Sequence, residues 1–150
     1  MKKVIYYIFG SLAIIVLLVA IAGFIKFNFT NGGDILPVTY LSDKKEELII
    51  SYPQTNEKIT SPMVITGEAK GSWFFEASFP VILTDWDGLI IAQGVAQAEG
   101  DWMTVNFVPF TATLNFIKPA YGTTGSLILK KDNPSGLPQN DDALEIPIKF

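Results

Sequence analysis

The chain contains no cysteine, no histidine and no arginine. Each absence removes a class of chemistry. Without cysteine there is no disulfide framework, no thiolate metal site and no lipid-modified thiol. Without histidine, the side chain that moves protons near neutral pH is missing. All eleven basic residues are lysine, so bidentate guanidinium recognition of phosphate is missing too. The formal charge is −4, and beyond residue 26 eight lysines face fifteen carboxylates, or −7. An acidic domain of this kind is poorly suited to neutralising a phosphate backbone, so no nucleic-acid partner is expected.

Catalysis is disfavoured on the same grounds. Ser126 and Ser135 would have only a lysine to activate them. The carboxylate pairs Asp85 with Asp87 and Glu99 with Asp101 each share one short turn, whereas glycosidase pairs face each other across a cleft. No enzyme activity and no cofactor are expected. Asp85-Trp86-Asp87-Gly88 has the opening of a calcium loop, but Leu89, Ile90 and Ile91 follow where ligands are needed. The stretch reads as a hairpin turn, and no metal is expected.

What is present begins with one long apolar run. Val4–Ile25 carries no charge and is long enough to cross a hydrocarbon core of about 30 Å as a helix. Lys2 and Lys3 precede it, which favours an N-terminus on the cytoplasmic side. Residues 1–26 are therefore expected to form a single-pass transmembrane signal-anchor helix. A cleaved signal peptide is the alternative, since Ala20-Ile21-Ala22 matches a cleavage pattern and would release a secreted protein after Ala22. Either way the remainder lies outside the cytoplasm. Residues 27–47 resemble a tether, with the breaker cluster Asn31-Gly32-Gly33-Asp34 and the charged run Ser42–Glu47.

From Leu48 to Phe150 the texture is short apolar runs divided by turn residues. Leu48–Tyr52, Met63–Ala69, Phe79–Thr84, Leu89–Ala98 and Gly125–Lys131 read as strands. Met103, Val105 and Phe107 alternate with polar neighbours, as do Phe110, Ala112, Leu114 and Phe116, and finally Leu144, Ile146, Ile148 and Phe150. Period-two alternation with one apolar face means antiparallel sheets that each hide one side. Seven to eight strands in residues 48–150 predict an all-β, immunoglobulin-like antiparallel β-sandwich, with a closed barrel as the alternative. Pro147 lacks an N–H, so the last strand is expected to be an edge, free for strand addition by another envelope protein.

One stretch stands out, Gly67–Pro80, where Trp73, Phe74, Phe75 and Phe79 cluster around the single carboxylate Glu76. Together with Ser61-Pro62, Asp87-Gly88, Gly100-Asp101-Trp102, Phe107 and Asp132-Asn133-Pro134-Ser135-Gly136, it resembles the immunoglobulin-like domain family of bacterial spore germination. The resemblance covers nearly all of residues 48–150. It implies an extracytoplasmic, non-catalytic β-sandwich of the bacterial envelope, sometimes in spore formers, with no catalytic residues to carry over.

Trp73, Phe74, Phe75, Glu76, Phe79, Trp86 and Trp102 are the candidate signature or partner-binding residues. On an extended chain Trp73 and Phe75 point one way, and Phe74 and Glu76 the other. One pair should reach the core and the other should lie on a surface, where exposed aromatics would mark binding. Glu76, if buried, would pin the segment between the sheets. Trp86 is expected part-exposed at a hairpin tip, and Trp102 at the start of a strand. The expected function is a non-catalytic binding or assembly module, held to the membrane and engaging another envelope protein or wall polymer.

Overall fold

The computed structural model describes residues 36–150. The expected anchor helix and the cleavage site fall outside the described residues. Among the described residues no helix is long and apolar enough to cross a membrane.

The domain is all-β and antiparallel. Its eight strands are β1 (Val38–Leu41), β2 (Glu47–Tyr52), β3 (Met63–Lys70), β4 (Ser78–Asp85), β5 (Ile90–Ala98), β6 (Phe107–Leu114), β7 (Thr124–Lys130) and β8 (Ala143–Lys149). They follow the order β1-β2-β3-β6-β5-β4-β7-β8. Pairing between β5 and β6 is limited to Gln97 with Thr111 and Ala98 with Phe110. That narrow junction divides the order into two layers, β1-β2-β3-β6 and β5-β4-β7-β8, which form an immunoglobulin-like sandwich.

The alternation seen in the sequence explains the layers. Along β4, Phe79, Val81 and Leu83 are buried, while Pro80 and Ile82 face outward and are only partly covered. Along β6, Val108, Phe110, Ala112 and Leu114 are buried. Along β8 it is Leu144, Ile146 and Ile148. Apart from the small Ala112, each of these side chains adds roughly 1.5–3 kcal/mol by leaving water. The centre of the core is Phe79. Its ring meets Trp73 edge-on at 5.9 Å, Phe74 at 5.1 Å and Phe110 at 4.9 Å between centroids.

Three features differ from the sequence expectation. The stretch expected to be a tether contributes to the fold: β1 lies inside residues 27–47 and pairs with β2. Residues 101–106 form no strand. Met103 and Val105 are 77% and 86% exposed, and β6 begins only at Phe107. The loop is drawn against Gly71, whose N–H donates to the Asn106 carbonyl at 3.2 Å. A Cβ on Gly71 would lie 2.1 Å from the Thr104 carbonyl oxygen, so only glycine allows the approach.

The third difference concerns β8, which ends the strand order as Pro147 leads one to expect, but whose edge is not wholly free. Its even-numbered residues face β7, and its odd-numbered backbone groups point outward. Those outward groups are largely taken by the chain itself. The Ala143 carbonyl accepts from Asp43 N–H at 2.9 Å, and the Pro147 carbonyl accepts from Asn56 N–H at 2.7 Å. Lys149 N–H donates to Glu57 and its carbonyl accepts from Ile59, each at 2.9 Å. An incoming strand along the whole of β8 would have to displace residues 56–59, so strand addition there is hindered.

Candidate functional site

The aromatic stretch is mostly interior. A single 3₁₀ turn at Gly71–Trp73 interrupts the extended chain just before it. The turn lets its own last residue, Trp73 (0% exposed), and the next, Phe74 (4%), both enter the core, instead of pointing to opposite faces. Phe75 is left at 42% exposure, and Glu76 is exposed. Phe75 and Ser78 exchange backbone hydrogen bonds of 3.0 and 3.1 Å around a two-residue loop. Both loop residues, Glu76 and Ala77, have positive φ, 50° and 61°, as a type I′ turn requires.

Glu76 therefore pins nothing; the carboxylate that does so is Glu46. Its Oε2 accepts the Trp73 indole N–H at 2.9 Å, and its Oε1 accepts from Lys131 Nζ at 2.6 Å. Trp102 is partly buried against the core, in the loop that packs on Gly71.

The aromatic surface lies at the opposite end of the strands, built from two loops. The first is the turn between β4 and β5. Asp85 Oδ1 accepts the N–H groups of Asp87 and Leu89, each at 2.9 Å. Asp85 N–H donates to the Leu89 carbonyl at 2.9 Å, and Gly88 takes φ +81°. This tight turn is the hairpin expected from Asp-x-Asp-Gly, and it projects Trp86 outward at 58% exposure.

The second loop joins β6 to β7. The β4–β7 register sets Asp85 opposite Gly125, which brings residues 115–123 beside the turn. Gly122, at φ +76°, lies under the indole. A Cβ there would be 2.2 Å from Trp86 Cδ1, so the ring rests on a bare Cα. The indole is thereby braced at its pyrrole side while much of its surface stays exposed. Between the loops runs a groove of about 420 Å³, lined by Trp86, Leu89, Ile91, Pro119 and Tyr121, with the carboxylates of Asp85 and Asp87 in its wall. Tyr121 is 82% exposed.

A second groove of similar size lies among Lys44, Lys131, Asn133, Ser135 and Asn140. Several of its polar groups are already engaged in loop bonds. Asn133 Nδ2 donates to the Leu137 carbonyl and to Asp141, Ser135 Oγ to Asn133, and Asn140 Nδ2 to Ser135. These bonds shape the loop and leave little for a ligand. Among the described residues no group of three or more acidic side chains is placed to hold a metal ion.

Of the candidates read from sequence, Trp86 stands in an exposed groove. Tyr121, Gly122 and Pro119 were not anticipated. The available signal was an aromatic flanked by proline and glycine in a connecting loop, where binding residues concentrate.

The immunoglobulin-like domain of bacterial spore germination matches residues 48–136. The chain belongs to this family. Neither a curated protein nor a solved structure matches it. Family membership agrees with the eight-stranded sandwich. The match begins at Leu48 and ends at Gly136, so β1, Glu46 and β8 lie outside it.

Proposed function

We propose that the chain is an extracytoplasmic, membrane-tethered member of this family that binds a partner in the bacterial envelope and performs no chemistry. Tethering is supported by Lys2, Lys3 and the uncharged run Val4–Ile25. A binding role is supported by one observation above the others: Trp86 is 58% exposed yet packed on Gly122, with Tyr121 also lining the groove. Solvent-facing aromatics fixed by packing are the common anchors of recognition surfaces, because little side-chain entropy is lost when they are covered. The lack of histidine, and the use of Asp85 in its own turn, favour binding over proton-transfer chemistry.

The test is site-specific photocrosslinking in the native envelope. A crosslinking residue at Tyr121 is expected to give a discrete protein adduct that Trp86→Ala abolishes. The same probe at Thr113, on the outer face of the other layer, should give none. Equal adducts from both positions would refute the assignment of the groove. An adduct that collapses on digestion of the wall would make the partner wall polymer instead of protein.

A further inference from the structure

We propose that the Trp86–Tyr121 groove recognises a lysine side chain on an extended segment of the partner protein. This rests on the groove being the binding surface and adds the chemistry of its ligand.

The groove's polar side-chain atoms are mostly acceptors. They are the carboxylate oxygens of Asp85 and Asp87, with the indole N–H and one phenol as the only donors. No lining residue has an amide side chain or an aliphatic hydroxyl. A sugar ring, whose hydroxyls both give and accept, would leave many of its groups unmatched there. An ammonium carries three donors and no acceptor, so the match is direct.

Both lining carboxylates keep spare valence for such a ligand. Asp85 uses Oδ1 for the turn, which leaves Oδ2. The Asp87 carboxylate has no partner among the described residues, whose one ion pair is Lys131 with Glu46. The remaining lining suits the rest of a lysine. Leu89, Ile91 and Pro119 offer apolar surface to a four-carbon stem, and the exposed indole of Trp86 attracts a cation.

The charge of the domain acts in the same sense. At −7 beyond residue 26, it draws cationic partners and repels anionic ones. The same carboxylates disfavour the other apolar occupant of an exposed aromatic end, an anionic lipid surface.

The test uses the full chain in detergent micelles, labelled with 5-fluorotryptophan. Three tryptophans give three resonances, and Trp86→Phe identifies its own. The probe is the blocked pentapeptide Ala-Pro-Lys-Pro-Ala. Titration is expected to shift the Trp86 resonance saturably and to leave Trp73 unmoved. Acetylating the lysine, which removes its charge, should weaken binding by roughly fivefold or more. Asp87→Asn should weaken it several-fold, and Tyr121→Ala likewise. An unchanged affinity after acetylation would overturn the proposal. So would a Trp86 shift produced by chitin oligosaccharides or anionic lipid but not by the peptide. If crosslinking at Tyr121 captures a Trp86-dependent partner while the lysine peptide fails, the groove remains the binding surface and only its ligand is misassigned. If the crosslink fails as well, both are lost.

Discussion

Glu46 and Trp73 are joined by a 2.9 Å hydrogen bond from the indole N–H to Oε2, between residues 27 positions apart. The indole is fully buried, so its N–H has no route to water, and the carboxylate reaches it from the edge. The other oxygen of Glu46 ties in Lys131 at the end of β7. One side chain thus connects the turn before β2, the core tryptophan and the far layer. Glu46→Ala is expected to destabilise the domain by about 1–3 kcal/mol, because a buried donor loses its acceptor. Glu46→Gln keeps an acceptor for the indole and should cost less. Urea unfolding followed by tryptophan fluorescence gives the order; equal stability of both variants and wild type would remove Glu46 from this role.

Phe74 and Phe75 are neighbours with opposite fates, 4% and 42% exposed. Phe74→Ala empties space beside Phe79 and is expected to cost about 3–5 kcal/mol. Phe75→Ala should cost no more than about 1 kcal/mol, because much of its ring already faces water. The comparison is a pair of denaturation midpoints, and a reversal of the order would mean the turn is placed differently.

The turn after them carries local strain. Glu76 and Ala77 both adopt left-handed φ, which type I′ turns normally assign to Asn and Gly. Replacing the pair by Asn-Gly is expected to stabilise the protein by about 1–2 kcal/mol, the cost of holding L-residues there. The denaturation midpoint should rise at unchanged slope. A fall in midpoint would show that Glu76 has a favourable contact after all.

Tyr52, in β2 against the core, has its ionisation pushed above the usual value, first by burial and then by the nearby Glu57 carboxylate. The folded state therefore resists losing this proton more than the unfolded chain does. Stability from this source is intact below the unfolded value of about 10 and declines as pH rises through the higher folded value. Melting temperatures measured from pH 8 to 11 should fall at the alkaline end, and Tyr52→Phe should flatten part of that fall. An identical alkaline profile for Tyr52→Phe would dismiss the effect.

Much of the sandwich was legible because alternation is a direct imprint of a half-buried sheet. β4, β6 and β8 appear in the sequence as their inner faces do in space. Where alternation misled, the segment was short. Met103 and Val105 fit period two by composition, yet they lie in a loop whose course is set by Gly71. β1 has only four residues and sits beside a charged run, so its sequence carried too little pattern to register. The candidate site was less legible. One 3₁₀ turn decided which of the clustered aromatics became core, and no period reports such a turn. Glu46 looked like one of several solvated charges in Ser42–Glu47, since only the fold brings it to Trp73. The groove needed the β4–β7 register to bring Tyr121 beside Trp86, thirty-five positions away in the chain.

The closure of β8 by residues 56–59 bears on how such a domain behaves in company. Proteins confined to a surface meet their own copies at high effective concentration. A bare strand edge there would seed lateral polymerisation. Asn56, Glu57 and Ile59 already occupy part of that edge, so two copies meeting along β8 would have to displace them before they could zip together.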